Sequence, residues 1–172
     1  MTAEYKCMKT YEGLPNVASL VSLTNQWAKT NEIDDPSNLK NDRVYLFSGT
    51  ADSVVNPDVM HSLQTYYSSY ISVSNMVADF AVKAEHCMPT TNTNYGEACA
   101  TLGSPYIGKC AFDGPASAFK TLYGEGLTKG SSIASNLLTF SQKSYIPAGA
   151  TKTSIADEVS SFCKQLSNIF TF

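Results

Sequence analysis

R-V-Y-L-F-S-G-T-A-D-S-V-V-N-P, residues 43–57, is the stretch whose reading decides the fold. Val44 to Phe47 is a short, wholly apolar run, as expected of a strand in a parallel sheet covered on both faces. It leads into a tight turn that carries one carboxylate, Asp52. Asn56-Pro57 then predicts a helix start, because Asn can cap the first turn and Pro has its φ already set and no N–H to leave unpaired. Val59, Leu63, Tyr66, Tyr67 and Tyr70 supply the apolar face of that helix, and a second strand is expected near Met76 to Val82. Strand, helix and strand in this order make a parallel β-α-β unit.

Upstream, Val17, Leu20, Val21, Thr24, Trp27 and Ala28 recur at three and four residues. That spacing predicts an amphipathic helix over about Pro15 to Thr30. The turn-rich N-E-I-D-D-P-S-N-L-K connection follows. Downstream, Glu85 to Lys109 reads as a long irregular loop, a length that in compact domains goes with function or cross-linking. Asp113-Gly114-Pro115 opens a further helix with Ala118, Phe119, Leu122 and Tyr123 on one face and Gly124 just past its end. Leu137 to Phe140 is expected to be a short strand, and Ile155 to Leu166 a helix striped by Val159, Phe162, Cys163 and Leu166. The fold class is therefore α/β. With only two or three strands the sheet is incomplete, and the chain reads as one partial domain over residues 1–172.

Composition excludes some functions. Of the 172 residues 16% are charged, against about 25% in ordinary domains. A net charge of −3 gives no basic face for nucleic acid. No apolar run approaches the length of a membrane span, and the first residues lack the basic and apolar segments of a signal peptide. Of five cysteines, Cys87, Cys99 and Cys110 cluster, while Cys7 and Cys163 lie near the ends. No C-x-x-C is present, which argues against zinc. The surroundings suit disulfides in an oxidising compartment. Cys99–Cys110, closing a short loop, is the favoured bridge; Cys87 and Cys7 are further disulfide candidates, and the odd count leaves one thiol over.

Two residues stand out for chemistry. Asp52 lies at the carboxyl end of a strand, where open α/β sheets build ligand sites; the bland alternative is a turn-capping Asp. His86, in A-E-H-C-M-P-T, follows the second strand on a loop. An acid after one strand and a His after the next is the order in which an α/β-hydrolase supplies the last two members of its Ser-Asp-His triad. Of the two histidines, His61 falls on the helix after Pro57 and is expected to face solvent. Glu85 is a rival partner for the His86 ring, but neighbours on an extended segment point opposite ways. Cys87 beside His86 lacks the geometry of a thiol–imidazole pair. No G-x-S-x-G elbow occurs; G-S-S-I-A at 130–134 and G-P-A-S-A at 114–118 are poor approximations.

The chain resembles the extracellular poly(3-hydroxybutyrate) depolymerase family, esterases of the α/β-hydrolase superfamily. The resemblance rests on I-D-D-P-S-N-L-K-N-D-R-V-Y-L-F-S-G-T-A-D-S-V-V-N-P-D-V-M from Ile33, on A-E-H-C-M-P-T, on G-E-A-C-A-T-L-G-S-P-Y-I-G-K-C-A-F-D-G-P from Gly96 and on A-F-K-T-L-Y-G. It covers roughly Tyr5 to Ala150. It implies a secreted, cofactor-free esterase acting on polyester or short ester substrates, with Asp52 and His86 as triad acid and base. In the family the serine elbow precedes the equivalent of Cys7. In some members an oxyanion-hole strand follows the equivalent of Leu137–Ala150, which the sequence after about Thr151 does not resemble. The expectation is thus a C-terminal portion without its serine, feebly active and poorly soluble alone. The alternative is a non-catalytic secreted remnant or binding module.

Overall fold

The computed structural model describes residues 2–128, 130–131, 133–148 and 155–162. The chain forms two compact units, Met1–Leu127 and Thr128–Phe172.

The first unit is built around the segment 43–57. Strand β1 (Val44–Phe47) pairs in parallel with β2 (Met76–Asp79), Val44 opposite Met76 and Phe47 opposite Asp79. Helix α3 (Pro57–Tyr67) connects them, started by Asn56, whose side chain accepts the Asp58 N–H at 2.9 Å. The strand β2 stops at Asp79, three residues before the Val82 end read from sequence. Its ladder with the β1 side nevertheless continues as single bonds: Ser48 N–H to the Asp79 carbonyl, Thr50 N–H to Val82 and Ala51 N–H to Ala84. Within β1 only Leu46 is fully buried. The fully covered strand read from sequence is thus half-buried, because among the described residues β1 has one partner strand, and Val77 on that partner is 42% exposed.

Two earlier helices complete this side. Helix α1 spans Thr2–Cys7 and α2 spans Val17–Lys29. The start of α2 is set by Asn16, which accepts the Ser19 N–H at 2.9 Å. Packing of α2 on α3 is tied by Thr24 Oγ1 and Tyr66 Oη, 2.6 Å apart, and the turn after α3 is tied to α2 by Tyr70 Oη donating to the Val21 carbonyl at 3.3 Å. Leu20, Leu23, Trp27, Val59 and Leu63 line an apolar cleft of about 490 Å³ there.

The segment 85–109, read as irregular, holds a small parallel sheet. Strands β3 (Met88–Thr90), β4 (Glu97–Ala98) and β5 (Ile107–Lys109) pair in the order β3-β5-β4. Two- and three-residue strands are too short to show a period of two, so the sequence carries no pattern for them. The sheet is closed by a Cys99–Cys110 disulfide, the favoured bridge. The candidates Cys87 and Cys7 are free thiols instead. For Cys87 the reason is local: it lies beside a bridge whose two sulfurs already hold each other, its Sγ 3.9 Å from the Cys99 carbonyl. Cys7 is exposed on α1, and Cys163 lies outside the described residues. By loop-closure entropy, the double substitution Cys99→Ser, Cys110→Ser should cost about 2–3 kcal/mol, read as a lower thermal midpoint. An unchanged midpoint would show that the small sheet holds without its bridge.

Helix α4 (Gly114–Tyr123) follows, its first turn capped by Asp113, which accepts the Ala116 N–H at 3.1 Å. It packs against β1 and β3. The chain leaves it at Gly124 with φ +89°, a left-handed backbone that favours glycine.

The second unit contains an antiparallel pair, β6 (Leu137–Ser141) and β7 (Glu158–Phe162). The helix expected over Ile155 to Leu166 is corrected for its described part: residues 158–162 form a strand. Val159 and Phe162 are three apart, which suits a helix, but the backbone groups of this segment are satisfied by pairing across to Leu137–Ser141. Residues 163–166 lie outside the described residues.

Candidate active site

Asp52 and His86 meet at the carboxyl end of the β1–β2 pair. Asp52 Oδ2 is 3.0 Å from His86 Nδ1. The other oxygen, Oδ1, accepts the Val54 N–H at 2.9 Å and the Val55 N–H at 2.8 Å. Asp52 is therefore both a turn-capping Asp and the partner of an imidazole, one oxygen for each task. Its side chain is 10% exposed, against 47% for His86. With Nδ1–H donated to the carboxylate, the neutral ring presents Nε2 as a proton acceptor.

The turn can reach His86 because residue 49 is glycine. A Cβ there would lie 2.0 Å from the Ala84 carbonyl oxygen, and that neighbour is backbone. Ala84 itself is fully buried. Behind the turn, Lys9 Nζ donates to the Ser53 carbonyl and the Asn56 N–H to the Met8 carbonyl. We expect Gly49→Ala to destabilise the protein by about 1–3 kcal/mol, since a rigid overlap must be relieved by moving the turn; urea denaturation measures it.

An open cleft of about 290 Å³ lies over the pair, lined by Phe47, Val55, Met60, Met88 and Tyr106 beside Asp52 and His86. Tyr106 and Met88 are both more than half exposed at its rim. Tyr106 has φ +60°, uncommon for a bulky residue, and is held by its N–H to Gly103 and by its carbonyl to Met88 N–H, both at 2.8 Å. Both fall within segments that carry the family resemblance, but their residue types alone do not mark them as a cleft rim. His61 is exposed, as expected, and stands edge-on to Phe80 with ring centroids 4.7 Å apart.

Glu85 is the residue that sequence reasoning undervalued. Its carboxylate does not take the imidazole, in keeping with the opposed directions of neighbouring side chains. It accepts the backbone N–H of His86 at 2.8 Å and that of Ser53 at 3.1 and 3.2 Å. Burial pushes this carboxyl up, but the Ser53 side chain, the two backbone N–H groups and the attraction of the imidazole when protonated together hold it below the usual value. Bonds to main chain leave no signature in residue types, so no motif announces them.

The surroundings of Cys87 disfavour a nucleophilic thiolate. Burial pushes its thiol up, and the charges of Asp52 and Glu85 push the same way, which disfavours the reactive thiolate. Alkylation by iodoacetamide near neutral pH, mapped by mass spectrometry, should label the exposed Cys7 several-fold faster than Cys87; faster labelling of Cys87 would restore a thiol mechanism. Among the described residues no group of three or more His, Cys, Asp or Glu could hold a metal ion. No described helix is long and apolar enough to cross a membrane.

No protein-family model matches the chain. Poly(3-hydroxybutyrate) depolymerase of Delftia acidovorans is 41% identical over 148 residues, covering 85% of this chain and 29% of that protein. Polyhydroxybutyrate depolymerase of Talaromyces funiculosus is 28% identical over 138 residues, covering 79% of this chain and 40% of that protein. Among solved structures, PHB depolymerase from Penicillium funiculosum superposes with a TM-score of 0.76 at 26% identity, over 95% of this chain and 49% of that one. A PHB depolymerase variant complexed with an R3HB trimer gives a TM-score of 0.70 at 28% identity, over 82% of this chain and 43% of that one. The chain thus spans less than half the length of the relatives it matches. Its parallel strands and flanking helices have the α/β-hydrolase-like fold of those structures.

Proposed function

The chain is related in sequence and in fold to the poly(3-hydroxybutyrate) depolymerases, and on that premise we propose that Asp52 and His86 are the acid and base of a serine esterase acting on 3-hydroxybutyrate-type polyesters or their oligomers. The observation that carries the reading is the 3.0 Å bond between Asp52 Oδ2 and His86 Nδ1, beside a cleft onto which the half-exposed imidazole opens.

In this mechanism His86 Nε2 takes the proton of a serine hydroxyl as the oxygen attacks the ester carbonyl. The imidazolium so formed is stabilised by Asp52, and its proton passes to the departing alcohol as the ester C–O bond breaks. Water then enters, gives a proton to Nε2 and attacks the acyl-enzyme; the proton returns to the serine oxygen as the acid leaves. No G-x-S-x-G is present in these residues, so serine and oxyanion donors are supplied in this reading by protein outside them. No cofactor is required. The mostly apolar lining of the cleft suits a polyester backbone, and the Cys99–Cys110 bridge suits an extracellular setting.

Hydrolysis of an R3HB trimer by the whole protein, with and without prior treatment with a fluorophosphonate, tests the proposal. Release of monomer that the reagent abolishes is the expected result. Hydrolysis insensitive to the reagent would remove the serine mechanism, and no hydrolysis of any 3-hydroxybutyrate ester would remove the substrate.

A further inference from the structure

We propose that Glu85 is a positioning residue for the Asp52–His86 pair, setting the distance between the two loops that carry them. The inference rests on the reading of that pair as acid and base, and deepens it.

Glu85 is 8% exposed. A carboxylate so far out of water is tolerated only when its oxygens are engaged. The donors that engage it come from the two places that matter. One is the N–H of Ser53, the residue after Asp52; the other is the N–H of His86 itself, 33 positions further on. One side chain therefore spans from the main chain of the acid to the main chain of the base. Charged acceptors form stronger hydrogen bonds than neutral ones, so the clamp is stiffer than an amide or hydroxyl would make it. The clamp is itself anchored, because the Glu85 N–H donates to the Cys99 carbonyl at 2.8 Å, and Cys99 is bridged to Cys110.

Position is what such a clamp controls. Asp52 Oδ1 is already committed to the Val54 and Val55 N–H groups, so the carboxylate cannot follow a wandering ring. If His86 drifts, the Nδ1 bond opens. The charged groups facing His86 are Asp52 and Glu85, with the Cys87 thiol beside them. Glu85 acts through the backbone and touches no reacting atom, so it is not itself catalytic.

The test uses Glu85→Ala and Glu85→Gln. In the whole protein, Glu85→Ala should lower kcat for trimer hydrolysis by ten- to a hundredfold with KM within twofold. Glu85→Gln, whose amide oxygen still accepts one N–H while its NH2 opposes the other, should fall between. A second readout needs no turnover: the downfield proton resonance of the His86 Nδ1–H bond should broaden or vanish in Glu85→Ala and persist, weakened, in Glu85→Gln. If Glu85→Ala does not fold, the Gln variant carries both measurements. A folded Glu85→Ala that melts lower but keeps its kcat and its downfield resonance would overturn the proposal, leaving Glu85 a purely structural residue. If the wild type hydrolyses no ester, the functional reading fails, while the resonance still decides whether Glu85 positions His86.

Discussion

Replacing His86 with alanine is expected to lower kcat for ester hydrolysis by about 10⁴-fold or more, the scale seen when one member of a triad is removed. The geometry explains why the loss should be so large. Nδ1 is held by Asp52 at 3.0 Å, which fixes the tautomer and leaves Nε2 free to accept a proton, the role proposed for it. Its two titratable neighbours in the chain are poorly placed to substitute: the Glu85 carboxylate is buried and occupied by backbone donors, and burial and nearby carboxylates disfavour the Cys87 thiolate. The fold should not notice, because the imidazole is 47% exposed and its backbone N–H, the group Glu85 holds, survives the substitution. Steady-state kinetics on the trimer, together with a thermal melt within about two degrees of wild type, check both halves. A kcat within tenfold of wild type would mean that another group is the base.

Asp52→Asn is expected to be nearly as damaging, about 10⁴-fold in kcat, for a subtler reason. The Asn carbonyl oxygen can replace Oδ1 and keep the Val54 and Val55 N–H bonds. The turn then survives, and stability should change by less than about 1 kcal/mol. What faces Nδ1 is now an NH2 donor. The ring must answer with a lone pair on Nδ1, which moves its proton to Nε2 and removes the base. Asp52→Ala separates the two tasks of the carboxylate: it should lose activity to a similar extent and also about 1–3 kcal/mol of stability, because two turn N–H groups lose their acceptor. Equal stability of the Ala and Asn variants would show that the capping bonds contribute little.

How much of this was legible in the sequence follows from the range of each interaction. Helix starts are local, so those expected at about Pro15, at Asn56-Pro57 and at Asp113-Gly114 lie within two residues of the observed ones. The strand before Asp52 showed as an apolar run. The meeting of Asp52 with His86 was expected from element order and from resemblance, not from spacing alone. The sheet β3-β5-β4 was invisible because its strands are shorter than any period. Glu158–Phe162 was read as helix because a pair of apolar residues three apart fits that pattern, while the strand that pairs with it lies in a separate stretch. The Glu85 clamp was missed because its bonds run to backbone N–H groups, and every residue has one.

The close fit of Gly49 against Ala84 has a consequence for how such a protein can change. The bonds joining 48–53 to 79–86 are direct, and none of them passes through α3, although α3 lies between the two segments in the chain. The spacing of Asp52 and His86 is thus held by bonds that do not involve the connection. A change in the length of that connection leaves these bonds in place, although the Ser68–Ser72 turn is itself held by the buried Ile71 and by the Tyr70 hydrogen bond to the Val21 carbonyl. For the same reason a redesigned helix between the two segments is expected to leave the Asp52–His86 distance of 3.0 Å unchanged.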